Sequence, residues 1–104
     1  MKFAPHILAQ VRLLPTEAGG RNGPTPPDVF VCRMGSGGDY FEMLMDLSGI
    51  GSLFPGSTAQ VPIRFSHPEY INPLIQVGAV FSLNEVGKIG GGKVLKVYDE
   101  NFAV

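Results

Sequence analysis

At 104 residues, 44% hydrophobic and 16% charged, the chain has the size and balance to bury one core and leaves no room for a second domain. Eight basic against nine acidic residues give a formal charge of −1, which excludes the long-range positive field of non-specific nucleic-acid binders, so any RNA contact must be local. The chain is too apolar for a disordered segment, and 14 glycines with 9 prolines suit a turn-rich all-β domain spanning residues 1–104, with its core at about 7–98.

Ile7 to Leu14 alternates Ile7, Ala9, Val11 and Leu13 against Leu8, Gln10, Arg12 and Leu14, the pattern of a strand with one face in a core. Pro15 stops it. From Pro15 to Asp28 periodicity is lost, and Gly19-Gly20, Gly23-Pro24 and Pro26-Pro27 mark a long surface loop, the first place to look for binding. Val29 to Met34 reads as a short strand, with Gly35-Ser36-Gly37-Gly38-Asp39 as a turn into a second one. That strand, Tyr40 to Asp46, buries Phe41, Met43 and Met45 if Glu42 and Asp46 face water.

Leu47 to Ser57 carries a loop and then the Pro55-Gly56 turn, in which proline presets φ and glycine accepts a positive one. Thr58 to Phe65 places Ala59, Val61, Ile63 and Phe65 inward and Gln60, Pro62 and Arg64 outward. Pro62 lacks a ladder donor, so an edge or a bulge is expected there. Ser66-His67-Pro68-Glu69 has the spacing of a capping box, which predicts one turn of helix ended by Asn72-Pro73.

Gly78 to Tyr98 reads as two strands joined by a glycine-rich turn. Phe81 and Leu83 point one way and Ser82 and Asn84 the other; Val94, Lys96 and Tyr98 then alternate with Lys93, Leu95 and Val97. Gly87 to Lys93 fits G-x-x-x-x-G-K, but Val94 replaces the hydroxyl residue that would hold a metal, and a β-branched strand follows where a phosphate loop needs a helix. No nucleotide is expected, and the glycines are assigned to the turn, where positive φ angles are needed. Asp99, Glu100 and Asn101 form a polar tail.

The inventory for chemistry is thin. The two histidines, His6 and His67, lack ligand spacing, so neither a metal site nor a cofactor is expected, and His67 is assigned a structural part at its corner. Glu17, Asp39 and Glu85 lie in or beside turns, and no serine sits in a nucleophile elbow, so no catalytic residue is identified and no enzymatic activity is expected. The single cysteine, Cys32, cannot form an internal disulfide and reads as a buried thiol of a reducing compartment. With no N-terminal apolar run before a cleavage site and no apolar segment near about eighteen residues, no membrane association is expected and the cytoplasm is the expected location.

Several of these stretches together resemble the third domain of elongation factor Tu. Gln10-Val11 followed by Glu17-Ala18-Gly19-Gly20-Arg21 is similar to its first strand and Glu-Gly-Gly-Arg loop, Pro55-Gly56 to its Pro-Gly turn and His67-Pro68 to its His-Pro corner. Phe81, Leu83, Glu85, Gly87, Lys88 and the run Gly90 to Val94 are similar to its last hairpin, and the resemblance covers roughly residues 7 to 98. It implies a six-stranded antiparallel closed β-barrel of the elongation factor Tu third-domain type.

In that family the third domain has no chemistry; it binds the T-stem of aminoacyl-tRNA in translation and packs against the GTPase domain. The Glu-Gly-Gly turn that meets the T-stem corresponds here to Glu85 and Gly87, with Val86 where the family has glycine and Lys88 where it has arginine. Lys88 keeps the charge and loses the planar guanidinium. The 104 residues hold no phosphate loop in a usable context, no guanine-specificity motif and no second barrel, so a stand-alone barrel and not a translational GTPase is expected. The expectation is a non-catalytic module that binds a protein partner through Glu17, Gly19, Gly20 and Arg21 of the first loop and Glu85, Gly87, Lys88 and Lys93 of the last hairpin. As a mimic, decoy or immunity-type factor it would act around elongation factor Tu; the alternative is RNA binding at a tRNA stem through the same hairpin.

Overall fold

A computed structural model, which describes residues 3–102, is a closed barrel of six antiparallel strands. The strands are β1 (Ile7–Leu13), β2 (Val29–Ser36), β3 (Asp39–Asp46), β4 (Thr58–Phe65), β5 (Val80–Asn84) and β6 (Lys88–Val97). They follow one another around the wall as β1, β4, β3, β2, β5 and β6, and β6 returns to β1. The all-β chain expected from alternation and composition, and the closed six-stranded barrel that the resemblance implied, are therefore the observed fold.

Alternation fills the interior. Ile7, Ala9, Val11 and Leu13 of β1 are buried, as are Val61, Ile63 and Phe65 of β4, Met43 and Met45 of β3 and Phe81 and Leu83 of β5. Phe41 and Ala59 pack at the margin of the same cluster, partly buried. The β2–β3 connection is a tight turn with Gly37 and Gly38 both at positive φ (59° and 88°), the geometry that matches the right-handed twist of a hairpin. Gly56 likewise takes φ 85° after Pro55, and Ser57 donates its amide to the Phe54 carbonyl at 2.9 Å to close that turn.

Several local expectations are corrected. Most glycines of the last hairpin do not make its turn: the reversal falls at 85–87 and holds only Gly87, while Gly90, Gly91 and Gly92 lie within β6, and none of the four has a positive φ. For Gly90 and Gly92 the reason is close approach. A Cβ on Gly90 would collide with the Arg12 carbonyl across the β1 ladder, and one on Gly92 would run into the Phe81 ring. The simple alternation read along β6 also breaks, because Leu8 pairs with Lys96 while Ala9 pairs with Val94, leaving Leu95 as a bulge. The shift in phase lets buried Val94 and half-buried Val97 both face the core.

Pro62 sits on no free edge. It pairs with Leu8 of β1, and the β3 ladder on β4 covers only Ile63 to Phe65, so β3 turns away before a Pro62 amide would be needed. Asp46, expected in water, is 9% exposed and accepts from the Ser48 amide (3.0 Å) and hydroxyl (2.5 Å), which start the following loop. The short helix is present as α1 (Pro68–Ile71), but Ser66 donates its hydroxyl to Glu42 at 2.9 Å and forms no capping box with Glu69.

The polar tail is anchored. Asp99–Asn101 makes a 3-10 turn and Phe102 is buried against the barrel end, with the Asn101 amide donating to the Pro5 carbonyl at 2.5 Å. His6 is fully buried between Phe65 and Phe102, its ring centroid 5.8 Å and 4.6 Å from theirs. The structural histidine is thus His6; His67 is exposed, with its Nδ1 3.7 Å from Glu69 and its ring tilted against Tyr70.

Candidate functional site

The loop after β1 and the last hairpin meet. Pro15 ends β1, a 3-10 turn (Thr16–Ala18) follows, and Gly19 closes it in the left-handed region at φ 91°. Gly20 lies so near the Leu14 carbonyl that no side chain fits there. The two glycines therefore have backbone duties, and together they turn Arg21 back toward the barrel. Thr16 fixes that return by donating its hydroxyl to the Arg21 carbonyl at 2.6 Å.

Arg21 then clasps the hairpin. Both carboxylate oxygens of Glu85 accept from its Nη1, each at 2.8 Å, while Nε and Nη2 donate to the Gly23 and Pro24 carbonyls at 3.3 Å. The guanidinium lies 5.0 Å from the centroid of the buried Phe30 ring. With side chains only 20% and 36% exposed, Arg21 and Glu85 are not the freely presented turn charges that sequence reasoning expected.

The need for a clasp follows from the topology. β2 and β5 share only the pairs Arg33–Asn84, Met34–Leu83 and Gly35–Ser82, so the first half of β2 runs on past the end of β5. Arg21 bridges that short seam from the side. Arg33 adds to it by donating from its guanidinium to the Glu85 carbonyl.

On the outer wall over the same seam lies a groove formed by three adjoining depressions. The middle one, about 580 Å³, is lined by Arg33, Tyr40, Ser82, Asn84, Val86, Gly87 and Lys88. One neighbour extends toward the Gly37-Gly38 turn and Val80, the other toward Val31 and Glu42. Its floor is polar, since the Asn84 amide donates to the Ser82 hydroxyl at 2.8 Å. It is kept low by Gly35, where a Cβ would stand about 3.0 Å from the Asn84 amide nitrogen and 3.2 Å from the Tyr40 ring. Arg33 lies over the exposed Tyr40 ring, 5.8 Å from its centroid.

Of the residues singled out from sequence, the structure joins Arg21 directly to Glu85 and sets Gly87 and Lys88 at the groove's rim. Glu17 is exposed on the 3-10 turn. Lys93 stands apart from the hairpin tip, halfway along β6, paired to Val80 on one side and Gln10 on the other. Arg33, Tyr40, Ser82 and Asn84 were not singled out. Their signal was faint: an aromatic at an outward strand position and an asparagine at a strand end, legible only once the register of β2 against β5 is known.

Two buried groups, Cys32 beside the seam and His6 at the barrel end, are shifted toward their neutral forms. Burial pushes the Cys32 thiol up to about 12, the Glu85 charge adds to the rise and Arg21 opposes it. His6 is held below its usual 6.5 first by burial and then by the Arg64 charge. Its Nδ1 accepts from the Phe65 amide at 2.9 Å, which makes it the neutral Nε2–H tautomer. The Asn101 backbone pulls the other way without making a hydrogen bond of normal geometry, since Nε2 has no partner among the described residues. Also among the described residues, no three His, Cys, Asp or Glu side chains converge as metal ligands do, and no helix is long and apolar enough to cross a membrane.

No protein-family model matches the chain, and no curated protein matches it.

Proposed function

We propose that this chain is a non-catalytic binding module of the elongation factor Tu third-domain type that engages a protein partner on the face carrying the clasped loop and hairpin. The observation that carries the reading is the Arg21–Glu85 pair, which holds the two segments as one fixed ridge beside the groove. Preorganised loops on a rigid barrel lose little conformational freedom on binding, which favours affinity. Four motifs in family order and the closed six-stranded barrel support this reading, whose biological form would be a mimic, a decoy or an immunity-type factor acting around elongation factor Tu.

RNA binding is the second reading, favoured by one observation: Arg33, Tyr40 and Lys88, a stacked pair with a further cation, share the groove. Capture from nuclease-treated lysate of the source cell separates the two. The protein reading requires a protein retained by the wild type and lost with Val86→Asp at the hairpin tip. Retention of RNA from untreated lysate, with no protein surviving nuclease, would replace it with the second reading.

A further inference from the structure

We infer that the groove over the β2–β5 seam docks an acidic peptide segment bearing aliphatic side chains; this deepens, and rests on, the protein-binding reading above. Apolar exposure gathers there. Val31, Tyr40, Val80 and Val86 are all large exposed side chains, and all line the same three adjoining depressions. Val86 projects entirely into solvent from the hairpin tip and Val80 is 73% exposed. Each gives up water contact at no desolvation cost when a partner covers it, so the patch is an unspent hydrophobic interface.

Charge decides what kind of segment fits. The middle depression is lined by two cations, Arg33 and Lys88, and by no carboxylate. Lys88 has no ion-pair partner among the described residues. Arg33 spends one guanidinium nitrogen on the Glu85 carbonyl and is steadied by Tyr40, which leaves its remaining N–H groups for an incoming carboxylate. An acidic side chain between these cations gains two charge-assisted hydrogen bonds, while its aliphatic neighbours cover Val86 and Val80.

The same features disfavour a nucleic acid. A polyphosphate carries a charge at every nucleotide and, laid along the groove, would set phosphates against Asp39 and Glu42 beyond the two cations, whereas a peptide needs only one acidic side chain, placed between Arg33 and Lys88, and lays its aliphatic residues elsewhere. Three valines offer nothing to a phosphodiester.

The test is fluorescence anisotropy of the full chain with three labelled probes: an octapeptide of leucine and serine with one central glutamate, the same peptide with lysine in place of the glutamate, and a short RNA hairpin. The acidic peptide is expected to bind at least about tenfold more tightly than the basic one, a difference that groove charge alone can supply. Lys88→Glu and Val86→Asp should each weaken it by about tenfold or more, whereas Lys96→Glu, opposite Leu8 on the β1 side of β6, should change it by less than about twofold. Circular dichroism confirms that these exposed-site variants keep the barrel. Equal binding of the two peptides, no binding of the acidic one, or RNA binding tighter than either peptide with loss on Lys88→Glu would each overturn the inference. If a captured protein still depends on Val86 while no acidic peptide binds, only the segment's chemistry is wrong; if no groove variant affects the captured protein, the protein-binding face is wrong as well.

Discussion

Arg21 and Glu85, 64 positions apart in the chain, form a two-contact ion pair at 2.8 Å that ties the first long loop to the last hairpin. The guanidinium covers Phe30 at the same time, so charge pairing and packing act together at this point of the barrel wall. A double-mutant cycle with Arg21→Ala and Glu85→Gln should show a coupling of about 1 kcal/mol or more, above the usual range for exposed pairs. Coupling near zero in urea unfolding would make the pair an incidental surface contact. Charge reversal at Arg21 is accordingly expected to cost stability as well as binding.

Phe65 is 1% exposed, stacks with His6 and lies tilted beside Phe102 at the barrel end. Phe65→Ala should cost about 3 to 5 kcal/mol, a large part of a small domain's stability. Chemical denaturation showing less than about 1 kcal/mol would contradict the inward register of β4.

The glycines of β6 make a sharper contrast. Gly90→Ala must displace the Arg12 backbone, whereas a Cβ on Gly87 meets nothing within 4 Å. Gly90→Ala is expected to destabilise by about 1 to 3 kcal/mol and Gly87→Ala to change stability by less than about 0.5 kcal/mol. Equal effects would return the glycines to a turn.

His6 sets a pH dependence. Its folded-state pKa lies below the 6.5 of the free side chain, so between the two values the unfolded chain binds a proton that the folded chain does not. The stability this supplies is fully present above 6.5 and is lost as the pH falls through the folded-state value, by at most about 1.4 kcal/mol per pH unit. His6→Asn, which keeps an acceptor for the Phe65 amide, should flatten the contribution; unfolding curves with the same slope below pH 6.5 in both proteins would show that His6 is not its source.

Cys32 should resist labelling. With its thiol raised to about 12 and its side chain buried, alkylation at neutral pH is expected to follow unfolding of the barrel and to speed up with added denaturant. Rapid labelling of the native protein would mean that the seam beside Glu85 opens far more readily than the clasp allows.

The strands were legible because they alternate cleanly: Ile7 to Leu13 and Thr58 to Phe65 each carry an unbroken apolar face, while closure into a barrel was implied by the resemblance alone. Glycine carries no such signal, so Gly90, Gly91 and Gly92 looked like a turn, although the Arg12 carbonyl occupies the side-chain space at Gly90 and the Phe81 ring that at Gly92. The bulge at Leu95 was hidden for a related reason, since a change of phase reads as ordinary alternation unless the pairing to Leu8 and Ala9 is known. The clasp was half legible. Arg21 and Glu85 were both singled out, but nothing local in the chain says that a loop and a hairpin this far apart will meet, and each was therefore placed in solvent.

The most direct test of the binding face is hydrogen exchange on the chain alone and in complex with the protein it captures from lysate. Slower exchange on binding should fall on Gly35 to Tyr40, Val80 to Lys88 and the loop through Arg21, with the β1–β4 wall unchanged. Protection confined to the β1–β4 wall, or no protein captured at all, would contradict the account.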